Sequence, residues 1–498
     1  MTASTSTTEH DQSQRRKWLG LAALCAAFFM VILDVAIVNV ALPTIQVDLG
    51  FSQRNLQWVV SAYALTFGGL LLLGGRAADL LGRRRMLIAG LALFGAASLM
   101  AGLAPSDTVL IVARALQGVG AAVMTPAALS ILMTTFQEGA ERNAALGVWG
   151  AVGASGGTVG VLLGGVLTDT IGWEWIFFLN VPVALAVIAV APVLLRESRA
   201  EGANRRFDLG GALTVTAGLA VLVYALVEAD SAGWVSAQTL GLLGASAALL
   251  ALFAAIEMRS RAPILPFSIF RIRAVTGSNV ASLALGGAVF GMIFILTLYM
   301  QQVLAYSPLE TGLAWLAMSL TALVSSVAAS VLVTRVGTRV PLAAGLAVAG
   351  AGLLLLARIP ADGAYVADLL PGLLVTGLGL GTAFVSLSIG ALEGVADRDA
   401  GLASGLVNTT QQVGGALGVA VLSTLALSRS DDLLAGGTAP PVALTEGFQV
   451  ALLAAGAFAL AGALAVIALV RGRTRPEPVA EPSAPQRSDQ PAGTPTSA

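Results

Sequence analysis

The chain has 498 residues, of which 56% are hydrophobic and only 11% charged. Water-soluble domains carry roughly 25% charged residues, so this composition excludes a soluble fold, and a net charge of −1 gives no footprint for a nucleic-acid partner. Cys25, His10 and Lys17 are each the only residue of their kind, which excludes a disulfide framework, thiolate or imidazole metal sites, histidine catalysis and a GxxxxGK phosphate loop. No metal, cofactor or enzymatic chemistry is expected.

The apolar residues fall in blocks of about 18 to 28, each long enough to cross a hydrocarbon core of ~30 Å as a helix. They are continuous rather than alternating, which argues against a β-barrel. A polar N-terminal tail, 1–17, precedes the first span at 18–42, which is too long for a signal-peptide core and reads as a retained helix. Spans follow at 58–80, 86–104, 108–134, 142–168 and 173–195, completing a first six-helix half over 18–195. A linker over 196–274 carries two extra spans, at about 207–228 and 236–257. The second six-helix half, 275–470, has spans at 275–303, 309–334, 340–357, 365–392, 401–427 and 446–470. The tail 471–498, rich in Pro, Ser, Gln and Thr, is expected to be disordered and cytoplasmic.

The predicted fold is therefore an all-α polytopic membrane protein. It has fourteen transmembrane helices, arranged as two parallel six-helix halves with two extra helices inserted between them. With the N-terminus inside, all of the 27 Lys and Arg residues fall on the cytoplasmic side except Arg54, Arg358, Arg429 and the intrahelical Arg114. That bias places both termini in the cytoplasm and requires an even helix count. The parallel halves show as a repeat. Gly82, Arg84, Leu87, Ala89 and Gly90 recur 255 residues later as Gly337, Arg339, Leu342, Ala344 and Gly345. Gly147, Gly156, Gly157 and Gly160 recur 258 residues later as Gly405, Gly414, Gly415 and Gly418. Repeated halves rocking about a midplane site are a transporter plan.

Asp34 lies inside the first apolar block, roughly 12 Å from its outer end at 1.5 Å per residue. A carboxylate at that depth costs about 2.5–3.5 kcal/mol and must face a cavity or a partner. Burial disfavours the charged form, which suits Asp34 to reversible proton binding; a hydrogen-bonded structural aspartate is the plainer alternative. Arg114, roughly 9 Å from the same surface on the fourth span, is its natural partner, as a switchable contact or a fixed salt bridge. On the fifth span Gly153, Gly156, Gly157, Gly160, Gly164 and Gly165 recur at spacings that let a neighbouring helix approach closely, for static packing or for sliding. The polar residues Asn39, Gln117, Gln301, Gln302, Asn408, Gln411 and Gln412 are candidates to line a substrate cavity or to link helices. Asn39 stands about 140° round the helix from Asp34 and does not share its face.

Several stretches resemble the major facilitator superfamily, in its fourteen-helix drug:proton antiporter branch (EmrB/QacA type). They are "LDVAIVNVALP" from Leu33, "GRAADLLGRRR" from Gly75, "RALQGVGAA" from Arg114, "WEWIFFLNVP" from Trp173 and "YMQQVLAYSPLETG" from Tyr299. Val161 stands where the antiporters' fifth-helix motif carries proline. The resemblance implies that Asp34 and Arg114 flank a central cavity and serve proton coupling. It also implies that Gly75, Arg76, Asp79, Gly82, Arg83, Arg84 and Arg85 form a charged latch stabilising one access state, where anchoring by the arginines alone is the plainer reading. The expected function is proton-coupled export of amphipathic drugs or antibiotics by alternating access, by a monomer in a bacterial plasma membrane, with small molecule, protons and lipid as partners. A dedicated exporter of one metabolite (a self-made antibiotic, siderophore or osmolyte) is the alternative. A non-transporting receptor or channel is a remote one.

Overall fold

The computed structural model describes residues 3–137, 140–199, 208–260, 263–395 and 400–470. The 471–498 tail lies outside them. Long helices follow one another along the chain, and no strand occurs among the described residues. The first half comprises α1 (Ala3–Leu49), α2 (Trp58–Leu81), α3 (Arg83–Gly102), α4 (Asp107–Thr135), α5 (Ala140–Thr170) and α6 (Asn180–Leu194). Then come α7 (Leu209–Ala232) and α8 (Ala237–Arg259). The second half comprises α9 (Arg273–Leu298), α10 (Pro308–Val336), α11 (Arg339–Leu356), α12 (Leu370–Gly390), α13 (Ala400–Ala435) and α14 (Pro440–Leu469). Among the described residues thirteen helices are long and apolar enough to cross a membrane. The remaining one, α5, is 31 residues long and packs against α1 and α10.

Several helices depart from the spans expected of them: α13 runs on to Ala435, α14 begins at Pro440, and the first helix and α9 depart for local reasons. The first helix continues through Pro43 to Leu49. Proline removes one backbone hydrogen bond, but Leu42 and Ile45 are both fully buried, and that packing carries the helix past the defect. After α9 the chain widens into a π-helical turn, Tyr299–Val303, which holds Gln301 and Gln302. Wide turns of this kind re-aim side chains, and no composition signal marks them.

The repeat is visible in the contacts. Gly82 and Gly337 both adopt positive φ, +115° and +79°, to turn the chain between consecutive helices. Arg84 donates to the Leu195 carbonyl at 3.1 Å and Arg339 to the Ile467 carbonyl at 2.6 Å, so each caps the last helix of its own half. Between the halves lies the inserted pair. Its first helix, α7, packs on both α2 and α13, through a cluster that includes Leu65, Val223, Val227, Ala416 and Ala420.

Candidate functional site

Asp34 is completely buried, and what it faces is a partner. Helices α1, α3, α4 and α6 converge on it, with α2 alongside. Its Oδ2 accepts a hydrogen bond from Arg114 Nη1 at 2.5 Å, and its Oδ1 accepts from Asn180 Nδ2 at 2.8 Å and Gln117 Nε2 at 3.2 Å. Ser98 Oγ receives Gln117 Nε2 at 2.8 Å and Asn180 Nδ2 at 3.4 Å. Each protein group bonded to Asp34 is a donor.

Arg114 is also held independently of Asp34. Its Nε donates to the Val59 carbonyl at 2.9 Å and its Nη1 to Gln117 Oε1 at 2.9 Å. The guanidinium lies 4.4 Å over the Tyr63 ring centroid and 5.9 Å from that of Phe177. Aromatic faces and carbonyl oxygens stabilise a cation without neutralising it. Arg114 therefore keeps favourable contacts in place if its bond to Asp34 is lost, which a simple two-residue ion pair would not offer.

Other predicted residues separate into distinct places. Asn39 is buried outside this cluster, donating to the Val35 carbonyl at 2.7 Å and leaving Oδ1 without a partner. Gln301 donates to the Val40 carbonyl at 2.8 Å, and Gln302 to Gln46 Oε1 at 2.9 Å and Gln53 Oε1 at 3.4 Å. Gln46 in turn donates to Gln53 at 2.7 Å. Together with Ser423, which donates to Gln57 at 2.7 Å, these amides fasten the second half to the first at the end opposite the arginine-rich turns. On α13, Gln412 is buried against Gly68 of α2, Gln411 is partly buried, and Asn408 is exposed and bonded to the Ser404 carbonyl.

The glycines of α5 serve two neighbours. Gly153, Gly156, Gly160 and Gly164 face Phe28, Ile32, Ala36 and Ile37 of α1. Gly165 instead meets the start of α10, where an added Cβ would stand 2.7 Å from the Pro308 carbonyl. Gly157 faces open space. At the arginine-rich end Asp79 accepts from Arg83 at 3.0 Å, while the backbone amides of Arg84 and Arg85 donate to Glu197 at 3.1 and 3.2 Å. Gly75 lies against Pro126, and Arg76 is partly buried and engaged.

The sequence profile of the Major Facilitator Superfamily matches residues 24–419. The chain belongs to that superfamily. Among superfamily relatives, it is 42% identical to the puromycin resistance protein pur8 of Streptomyces alboniger, over 92% of each chain. It is 41% identical to the cephamycin export protein CmcT of Amycolatopsis lactamdurans, over 81% of this chain and 84% of that one. The fold matches the crystal structure of a bacterial homologue of the human lysosomal transporter Spinster, in an inward-facing and unoccupied conformation. The TM-score is 0.65 at 16% identity, covering 93% of this chain and 99% of that one, which speaks for the fold alone.

Sequence reasoning missed Asn180, Ser98 and Tyr63 in the Asp34 cluster, Gln46 and Gln53 in the amide clasp, and Glu197 at the arginine turn. Asn180 carried a usable signal, because an amide at the head of an apolar helix needs a partner. Ser98 and Tyr63 carried none, since hydroxyls are common in such helices and their neighbours come from distant spans.

Proposed function

We propose that this superfamily member is a proton-coupled antiporter that exports amphipathic antibiotics by alternating access. It acts as a monomer in a bacterial plasma membrane, with both termini and the arginine-rich turns in the cytoplasm. The observation that carries the reading is the Asp34–Arg114 pair, fully enclosed yet built so that Arg114 has other contacts to fall back on. A proton arriving on Asp34 cancels its charge and releases Arg114 to Val59, Gln117 and Tyr63; loss of the proton restores the pair. In this orientation the amide clasp closes the outer end, which bars substrate entry from outside in this state. Asp79 and Arg83 then act as the latch that re-forms partners when the inner end closes.

Relatives named for puromycin resistance and cephamycin export support antibiotics as the cargo class. Those names each specify one compound, which favours a narrower second reading as dedicated exporter, whereas the name of a multidrug resistance protein 37% identical to this chain favours the broad one. The first test uses inverted vesicles under an imposed pH gradient, with puromycin as the probe. Native protein is expected to accumulate it, and Asp34→Asn to bind it but not concentrate it. Undiminished uphill transport by Asp34→Asn would remove Asp34 from coupling. Growth of overexpressing cells against many unrelated drugs separates broad from dedicated export.

A further inference from the structure

A second acidic pair lies away from the Asp34 cluster, where the inserted helices meet their connections. Glu257, on the last turn of α8, is 3% exposed. Asp208 is the N-cap of α7, and its Oδ1 accepts from the Gly211 amide at 2.7 Å. Glu257 Oε2 accepts from the Leu265 amide at 3.0 Å, which ties α8 to the connection leading into the second half. The remaining oxygens, Glu257 Oε1 and Asp208 Oδ2, are both buried and both without a partner.

The two carboxyl groups converge on one point. A Cβ placed on Gly211 would stand 2.7 Å from Glu257 Oε1 and 3.1 Å from Asp208 Cγ. They thus lie within about 6 Å of each other, a range in which two like charges oppose joint ionisation. Glu257 Oε1 and Asp208 Oδ1 face one space over Gly211, and each carboxyl group keeps one buried oxygen, Glu257 Oε1 and Asp208 Oδ2, without a hydrogen. We propose that Glu257 and Asp208 hold one proton between them, a protonation site distinct from Asp34 that docks the start of α7 onto the end of α8.

The proton resides on Glu257. Asp208 caps a helix N-terminus and already accepts a backbone amide. Glu257 faces the backbone amides of the 264–265 connection and sits in the more buried position. Among the described residues, which exclude Arg205, Arg206 and Arg261, no charged neighbour supplies a cation. Asp208 is the charge that acts on Glu257 from α7, the 264–265 connection faces it with backbone amides, and Arg259 on its own helix is exposed. On α2, which packs on α7, the charged residues of this end are Arg76, itself engaged, and Asp79, bonded to Arg83. From Ala400 to Gln412, α13 carries no charge.

Because α7 spans the seam between α2 and α13, the pair governs how firmly the inserted hairpin is anchored at the arginine-rich end. Ionising both groups sets two charges against each other there and loosens that anchor.

Infrared spectroscopy of the purified full-length protein tests this directly. At neutral pH a protonated-carboxyl C=O band is expected, retained in Asp34→Asn and lost in Glu257→Gln. In melting experiments native protein should lose stability as pH rises and the band disappears, whereas Glu257→Gln, which keeps a neutral side chain, should melt at the same temperature across that range. If Glu257→Gln does not fold, titration of the band in native protein and in Asp34→Asn still decides. A band that survives Glu257→Gln or disappears in Asp34→Asn overturns the proposal. So does a native protein with no such band at neutral pH, whether or not sodium or calcium ions then stabilise it.

Discussion

The two halves of this transporter share a backbone plan but differ in what fills their interiors. The contacts fix the correspondence. Gly156 packs on Ile32 as Gly414 packs on Leu283, and Gly90 meets the Gly120 carbonyl as Gly345 meets that of Gly379. Asp34 then corresponds to Leu285, Ser98 to Leu353, Arg114 to Leu373 and Gln117 to Thr376. All four second-half residues are buried, three of them are leucines, and Thr376 Oγ1 has no partner. One half has an ion pair wired by amides where the other has an apolar core. Structure alone therefore does not demand the charges: the same scaffold closes with leucine in their place. This asymmetry supports the transport role proposed for the Asp34 cluster.

Breaking one side of the pair should have the largest effect. Arg114→Leu leaves the Asp34 carboxyl enclosed without its cation, and is expected to destabilise the fold by ~3–5 kcal/mol, read as a lowered melting temperature in detergent and loss of folded yield. Converting the first interior to the second sharpens the comparison. Asp34→Leu with Arg114→Leu should match native stability or exceed it by about 1–4 kcal/mol, because no unpaired charge remains. That variant should still fold and insert but show no uphill transport in vesicles; retained accumulation would break the assignment of the pair to coupling.

Asn180→Leu removes one hydrogen bond to the carboxylate and should cost ~1.5–3 kcal/mol, with a shifted pH dependence of transport that a purely structural asparagine would not produce. Thr376→Val should have the smallest effect. It deletes a buried hydroxyl that bonds to nothing, so stability should stay within about 1 kcal/mol of native or rise slightly, read from the melting temperature, with transport unchanged.

How much of the fold was legible follows from the solvent. In a bilayer every spanning segment must satisfy its own backbone, so long apolar blocks become helices whatever their neighbours do. The repeat of Gly82 and Arg84 as Gly337 and Arg339 was readable because turn and cap are local requirements. Asp34 and Arg114 could be paired in advance because each is an expensive charge at a similar depth. The boundary at Pro43 was not readable, since the burial of Leu42 and Ile45 overrides the breaker.

The sequence by itself determined the helices, their number and the costly charges Asp34 and Arg114, because apolar length and a charge deep in an apolar block are properties of single segments. Only the tertiary structure decided that Asn180 and Ser98 complete the cluster, that Gln302 reaches Gln46 and Gln53, and that Glu257 meets Asp208 over Gly211. Short polar contacts of this kind depend on distances of about 3 Å between residues far apart in the chain, and only the packing of several helices at once sets them.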